Sequence, residues 1–202
     1  MKKAIIIGRT NVGKTTFMIN FADYIGLSKI LIKSKYPDGK ILNKEFSLHI
    51  ARKNLISNKA YKTTCLQSIS LEIPVYKGSK KVEIIDSSGL CDGIHPNMQI
   101  RKSIVQTLEN IQNSSILIHI IDLSQSIKDR PEELISEIDR QIIKYGSTRT
   151  GYVLLANKID IKETKEAVDY LKENFSNVLI IPISALYKKG FNEVKKFVIN
   201  SI

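Results

Sequence analysis

Apolar and polar positions fall into blocks along this chain, and the period changes from block to block. Ala4–Ile7 is a continuous apolar run closed by Gly8, as in a strand covered on both faces. Thr15–Ile25 then places Phe17, Met18, Phe21, Ala22 and Ile25 on one helical face, with Gly26 as its stop. Further on, "SISLEIPVY" and "KVEIIDSS" are two β runs around "KGSK", which reads as a hairpin turn. "ILIHIID", "GYVLLAN" and "NVLIIPI" are again continuous apolar runs. Helical patterns lie at Met98–Ile111, Pro131–Tyr145, Glu163–Phe175 and Asn192–Ile199, and Pro131 suits a first helical turn. Strands alternating with helices predict an α/β fold. Its sheet should be doubly wound in three layers, mostly parallel, with one antiparallel edge strand.

Leu27 to Lys62 breaks this rhythm, and a bare loop that long is improbable in a compact domain. "KILIKSKYPDGKILNKEF" carries a Pro-Asp-Gly turn signal between two mixed runs. A small hairpin is expected there, followed by a short helix near Ser47–Ile56. No repeat or low-complexity linker divides the sequence. Residues 1–202 therefore read as one domain with an insertion at about 27–62.

The first strand runs into "GRTNVGKTT", which fits Gly8-x-x-x-x-Gly13-Lys14-Thr15 between a strand and a helix. The glycines permit backbone conformations closed to other residues. Successive N–H groups from Gly8 through Val12 to Gly13 can then turn inward around a polyphosphate at a helix N-terminus. Lys14 would neutralise the β- and γ-phosphates. The Thr15 hydroxyl would coordinate Mg²⁺, and Thr16 would reach the α-phosphate.

"NKID" follows the apolar strand "GYVLLA", at a carboxyl end where ligands of such folds bind. Asp160 can accept from both N1–H and the exocyclic amine of guanine, whereas adenine presents an acceptor at N1. The Lys158 stem would cover the base, and Asn157 would tie this loop to the phosphate loop. "SAL", Ser184–Ala185–Leu186, follows the next apolar strand, so the Ala185 N–H would reach guanine O6. "DSSG" ends the second hairpin run. Asp86 would hold Mg²⁺ through water, and the Gly89 N–H would bond the γ-phosphate. Upstream, "YKTTCLQS" offers Thr64, in preference to Thr63, for the same Mg²⁺.

The ordered set "GRTNVGKT", "TT", "DSSG", "NKID" and "SAL" resembles the five nucleotide motifs of the Ras-like P-loop GTPases, over nearly the whole chain. The form G-x-x-N-x-G-K-T is most similar to the TrmE–Era–EngA–YihA–septin group, of Era/YihA-like type. A Pro-Gly-Tyr after the DxxG aspartate, usual in the YihA branch, is replaced here by "SSGLCDG". The resemblance implies a GTP/GDP switch with GTPase activity. It also implies a protein or ribosomal partner, or a nucleotide-dependent homodimer. The alternative is a GTP-binding ribosome-assembly or RNA-associated factor, or an interaction module, with negligible hydrolysis. Leu90 stands where Ras-type members carry a water-positioning glutamine. The resembling group uses other means, one being a K⁺ ion held partly by the phosphate-loop asparagine. Asn11 matches that asparagine. It would then be catalytic alongside Lys14 and Thr64, or would merely bond the loop.

Net charge is +11. An RNA or ribosomal surface would explain it, and so would an AT-rich genome, because Lys far outnumbers Arg and Ile and Asn are abundant. No apolar run approaches the ~18 residues of a membrane span. Cys65 and Cys91 lack metal-site spacing, which suits a reducing cytoplasm. His95 reads as a surface residue, His119 as a core residue, and Asp122 as support for the sheet end or a nearby loop.

Overall fold

A computed structural model of the chain describes residues 1–56, 65–125, 131–161 and 164–202. Thr63 and Thr64, the candidate switch threonines, and Glu163, expected to open a helix, lie outside the described residues. In chain order the elements are β1 (Lys2–Ile7), α1 (Lys14–Tyr24), β2 (Lys29–Lys35), β3 (Ile41–Ser47) and α2 (Leu48–Leu55). They continue with β4 (Leu66–Val75), β5 (Gly78–Asp86), α3 (Met98–Gln112), β6 (Ile116–Asp122) and α4 (Glu137–Gly146). The chain closes with β7 (Tyr152–Asn157), α5 (Lys165–Asn174), β8 (Ile180–Ile183) and α6 (Phe191–Ser201).

All eight strands form one sheet in the order β3-β2-β4-β5-β1-β6-β7-β8. From β5 to β8 the pairing is parallel. β4, β2 and β3 add antiparallel strands on the other side. The antiparallel edge is therefore three strands wide, because the Leu27–Lys62 segment contributes a hairpin of its own. Its turn is at Pro37–Gly39, where Gly39 has φ +87°. β2 meets β4 only through Lys33–Lys35, next to the turn, while Ile30 and Ile32 nearer the hairpin's root are buried in the core with α1 and α2.

Several boundaries differ from the pattern for local reasons. Val75 pairs directly with Gly78, so the hairpin turn is Tyr76–Lys77 and "GSK" belongs to β5. The expected helix Pro131–Tyr145 is split: Pro131–Leu134 is a separate 3₁₀ turn, and α4 starts at Glu137. Ser136 and Asp139 cap it reciprocally, each side chain taking the other's backbone N–H.

Because β1 is apolar throughout Ala4–Ile7, it feeds two cores. Ala4 and Ile6 join α1, α2 and α6 on one face. Ile5 and Ile7 join α3, α4 and α5 on the other. Phe17, Phe21 and Phe191 form an aromatic knot in the first core, with Phe191 5.3 Å from Phe17 and 5.8 Å from Phe21 between ring centroids. Among the described residues, no helix is long and apolar enough to cross a membrane. Phe191 is fully buried, so Phe191→Ala should cost about 3–5 kcal/mol. Urea unfolding followed by circular dichroism should show the corresponding drop in midpoint.

Candidate functional site

The carboxyl ends of β1, β5, β6, β7 and β8 lie along one rim of the sheet, and their loops build the site. After β1 the chain makes a turn that most residues cannot follow. Gly8, Asn11 and Gly13 have φ of +141°, +61° and +102°. A Cβ on Gly8 would lie 2.3 Å from the Ile120 carbonyl oxygen, and one on Gly13 would lie 2.4 Å from Asn157 Nδ2. Both positions therefore require glycine. Asn11 sits in the left-handed region that asparagine tolerates better than most side chains. The loop ends at the N-terminus of α1, with Gly13 as its cap.

Inside this turn the Lys14 ammonium donates to the carbonyls of Gly8 at 3.1 Å and Arg9 at 2.6 Å. Burial lowers its pKa to about 8, while the Asp86 and Asp139 carboxylates act to raise it. The Thr15 hydroxyl donates to Asp86 Oδ2 at 2.6 Å. Asp86 is fully buried, and among the described residues its Oδ1 has no hydrogen-bond partner. Burial pushes its pKa up to about 6, against the Thr15 hydrogen bond and the Lys14 charge.

"DSSG" is pinned beside the same turn. Ser87 Oγ donates to the Ile6 carbonyl at 2.7 Å, and Ser88 shares a hydrogen bond with Thr107 of α3 at 3.0 Å. The Leu90 N–H donates to the Gly8 carbonyl at 3.1 Å. Gly89 packs so closely on Thr10 that a Cβ would come within 2.4 Å of its methyl group. The Leu90 side chain is buried in the α3–α4–α5 core.

Two more loops close the constellation. Asn157 is buried and bonds in both directions. Its Nδ2 donates to the Val12 carbonyl at 2.7 Å, and its Oδ1 accepts the Ala185 N–H at 2.9 Å. That N–H, expected to face a base, is thus engaged by the asparagine. Ser184 Oγ donates to Asp160 Oδ1 at 2.5 Å. Lys158 takes a left-handed φ of +73°, and its ammonium meets Asp122 Oδ2 at 2.5 Å. Leu186 is exposed. The described residues from the four motifs therefore meet on one rim.

Three further residues support this rim, and Asp122 does so as expected, at the sheet end and toward the neighbouring loop through Lys158. Asp122 pairs with Asn157 across β6–β7, so its place beside "NKID" could have been inferred from strand register. Asn20 of α1, which donates to the Ala185 carbonyl at 2.8 Å, and Asp139 of α4 carried no local signal.

Comparison with known proteins agrees with this geometry. The profile of a family described as 50S ribosome-binding GTPase matches residues 40–158, more than half of the chain and downstream of the Gly8–Thr16 loop. GTPase Obg of Desulforapulum autotrophicum is 26% identical over 130 residues, covering 63% of this chain and 36% of that protein. GTPase Obg of Bacillus mycoides is 30% identical over 112 residues, covering 54% of this chain and 26% of that protein. The chain thus corresponds to about a third or less of these relatives' length. A crystal structure of Era in complex with MgGDPNP and nucleotides 1506–1542 of 16S ribosomal RNA superposes with a TM-score of 0.65. It is 18% identical and covers 99% of this chain and 56% of that one. The FeoB G-domain from Methanococcus jannaschii gives 0.57 at 19% identity, covering 100% and 98%. At these identities the two structures establish the fold.

The burial of Asp86 has a direct spectroscopic consequence. In chelator-treated protein, infrared difference spectra should show a carboxylic acid that ionises as pH rises through about 6. Asp86→Asn should remove that band; its persistence would assign it elsewhere.

Proposed function

The chain belongs to the 50S ribosome-binding GTPase family, and from that premise we propose that it binds Mg²⁺·GTP, hydrolyses it slowly to GDP and phosphate, and serves as a nucleotide-dependent switch. The observation that carries this reading is the double hydrogen bond of Asn157. It joins the Gly8–Thr16 loop, the Asn157–Asp160 loop and the Ser184–Leu186 loop.

A triphosphate would lie in the turn from Gly8 to Gly13, against inward amides and the α1 N-terminus. Lys14 would exchange the Gly8 and Arg9 carbonyls for β- and γ-phosphate oxygens. Thr16 would bond the α-phosphate, and the Gly89 N–H would bond the γ-phosphate. The donor set beside Lys14 fits magnesium: a hydroxyl, a carboxylate and one buried oxygen without a partner. Thr15 and Asp86 would hold the ion, with Thr64 as a further ligand; the ion supplies neutralisation of charge on the β- and γ-oxygens.

Asp160, oriented by Ser184, would accept from guanine N1–H and the exocyclic amine. Guanine O6 would share the Ala185 N–H with Asn157 Oδ1 as a bifurcated bond. The Lys158 stem, tethered by Asp122, would lie over the base. Leu90 is packed into the core, so water must be positioned by another group. Asn11 would hold a K⁺ ion whose charge does the work of an arginine finger.

The insertion at 27–62 would be the partner-facing element that responds to nucleotide. Within Leu27–Ile56 there are seven basic residues and two acidic ones. Lys29, Lys33, Lys35, Lys40, Lys44 and Lys53 are exposed. This concentration favours an anionic, ribosomal partner over a neutral protein surface.

Calorimetry with Mg²⁺ should show binding of GTP and none of ATP at matched concentration; equal affinities would overturn the reading. Asp160→Asn should weaken GTP at least ~100-fold, since two bonds to a charged acceptor are each worth about 1.5–3 kcal/mol. GTP turnover should be faster in K⁺ than in Na⁺, and Asn11→Ala should abolish the difference. Equal rates in both salts would remove the potassium assignment. Co-sedimentation with a ribosomal subunit should require a GTP analogue and weaken steeply with added salt.

A further inference from the structure

Asp139 is a carboxylate inside the protein that the reaction above does not use. It is the third residue of α4, it is buried, and each of its oxygens has a partner. Oδ1 lies 3.0 Å from His119 Nε2 of β6. Oδ2 accepts from Ser136 Oγ at 2.8 Å and lies 3.5 Å from Nε of Arg9, the second residue of the phosphate loop. His119 is fully buried, and its Nδ1 is 3.0 Å from the Tyr152 hydroxyl of β7.

The donor and acceptor roles follow from chemistry. An ionised carboxylate only accepts, so Nε2 carries the proton toward Asp139. Nδ1 accepts from the Tyr152 hydroxyl in a neutral ring and donates to it in a protonated one. Burial alone would push Asp139 up, but the bond from His119, with Ser136 and Arg9, holds it below the usual carboxylate range. An ionised group in this place is costly unless it is fully paired. Here the pairing reaches the phosphate loop, and the Arg9 carbonyl is the one that Lys14 holds at 2.6 Å. The amino end of α4 also receives a second tie from beyond "DSSG": the Ile138 N–H donates to Asp92 Oδ1 at 2.8 Å.

We propose that Tyr152, His119, Asp139 and Arg9 form a polar brace that positions the phosphate loop, with Asp139 and His119 as positioning residues for nucleotide binding. The role rests on the phosphate-loop reading given above. Gly8 and Gly13 leave the loop's backbone permissive, and Asn11 holds a positive φ that persists only where its surroundings over-determine it. Asn157 holds the far end of the loop at Val12. The brace holds the near end at Arg9. With Asp139 neutralised, Arg9 loses its charge partner, and the loop samples conformations that no longer present its amides together.

Amide hydrogen exchange on nucleotide-free protein tests the brace without relying on the ligand. In Arg9→Ala and in Asp139→Asn, exchange across residues 8–13 should rise about tenfold, consistent with a coupling on the order of 1 kcal/mol or more. The double variant should add little to either single change. Arg9→Lys, which keeps the charge, should recover part of the protection. Arg9 is part-exposed, so Arg9→Ala should melt closer to wild type than Asp139→Asn, and it keeps the test decisive if Asp139→Asn fails to fold. GTP affinity measured on the same proteins should fall by a similar factor. Unchanged loop exchange in Arg9→Ala, or fully additive effects in the double variant, overturns the brace. Failure of the wild-type protein to bind guanine nucleotide would instead overturn the proposed function, leaving the exchange result to judge the brace.

Discussion

The Asn157 side chain carries an amide NH₂ and an amide oxygen, and each end is used inside the protein to hold a separate loop at fixed distance. The donor takes the Val12 carbonyl and the acceptor takes the Ala185 N–H. A hydrocarbon side chain could make neither bond. An aspartate would put negative charge against the Val12 carbonyl. The close approach also explains Gly13, since any Cβ there would collide with the Asn157 amide nitrogen. The left-handed loop, the strand-end asparagine and the loop after β8 are therefore one mechanical unit, although they are separated by most of the chain.

That unit exists because the sheet brings the strand ends together. β1 lies between β5 and β6, so Asp86 and the turn after Ile7 emerge side by side. β7 and β8 continue the parallel series and place Asn157 beside Ile183. Continuous apolar runs let these strands be covered on both faces by helices. The polar termini of the runs are consequently the places where chemistry can appear. The antiparallel strands on the other side carry the lysine-rich hairpin: Ser34 pairs with Gln67, which pairs with Asp86, so the hairpin's turn end lies at the same end of the sheet as this rim.

Burial sets the electrostatics of the rim. Lys14 is lowered to about 8 and Asp86 raised to about 6 because each has lost water. Both are poised for a strongly charged ligand, whose phosphates and cation would restore the solvation they lack. Asp139 behaves differently: its oxygens are already satisfied by His119, Ser136 and Arg9. Among the described residues, a buried carboxylate with an unpartnered oxygen and one with a full complement of partners thus sit in different electrostatic surroundings.

Sequence alone determined the α/β class, the hairpin in the 27–56 region and the residues of the four rim motifs, because each is written in local periodicity or in contiguous residues. Tertiary structure alone decided that the antiparallel edge is three strands wide and that Leu90 points into the core. It also decided that the Ala185 N–H is taken by Asn157 and that His119 is one member of a polar chain rather than a simple core residue. Asp139 shows the reason most plainly. In sequence it is an ordinary acidic residue in a helix's first turn, and only the packing of α4 against β6 and the β1–α1 turn brings it to Arg9. Periodicity reports which face of an element is buried; the partner waiting there is set by long-range closure of the sheet.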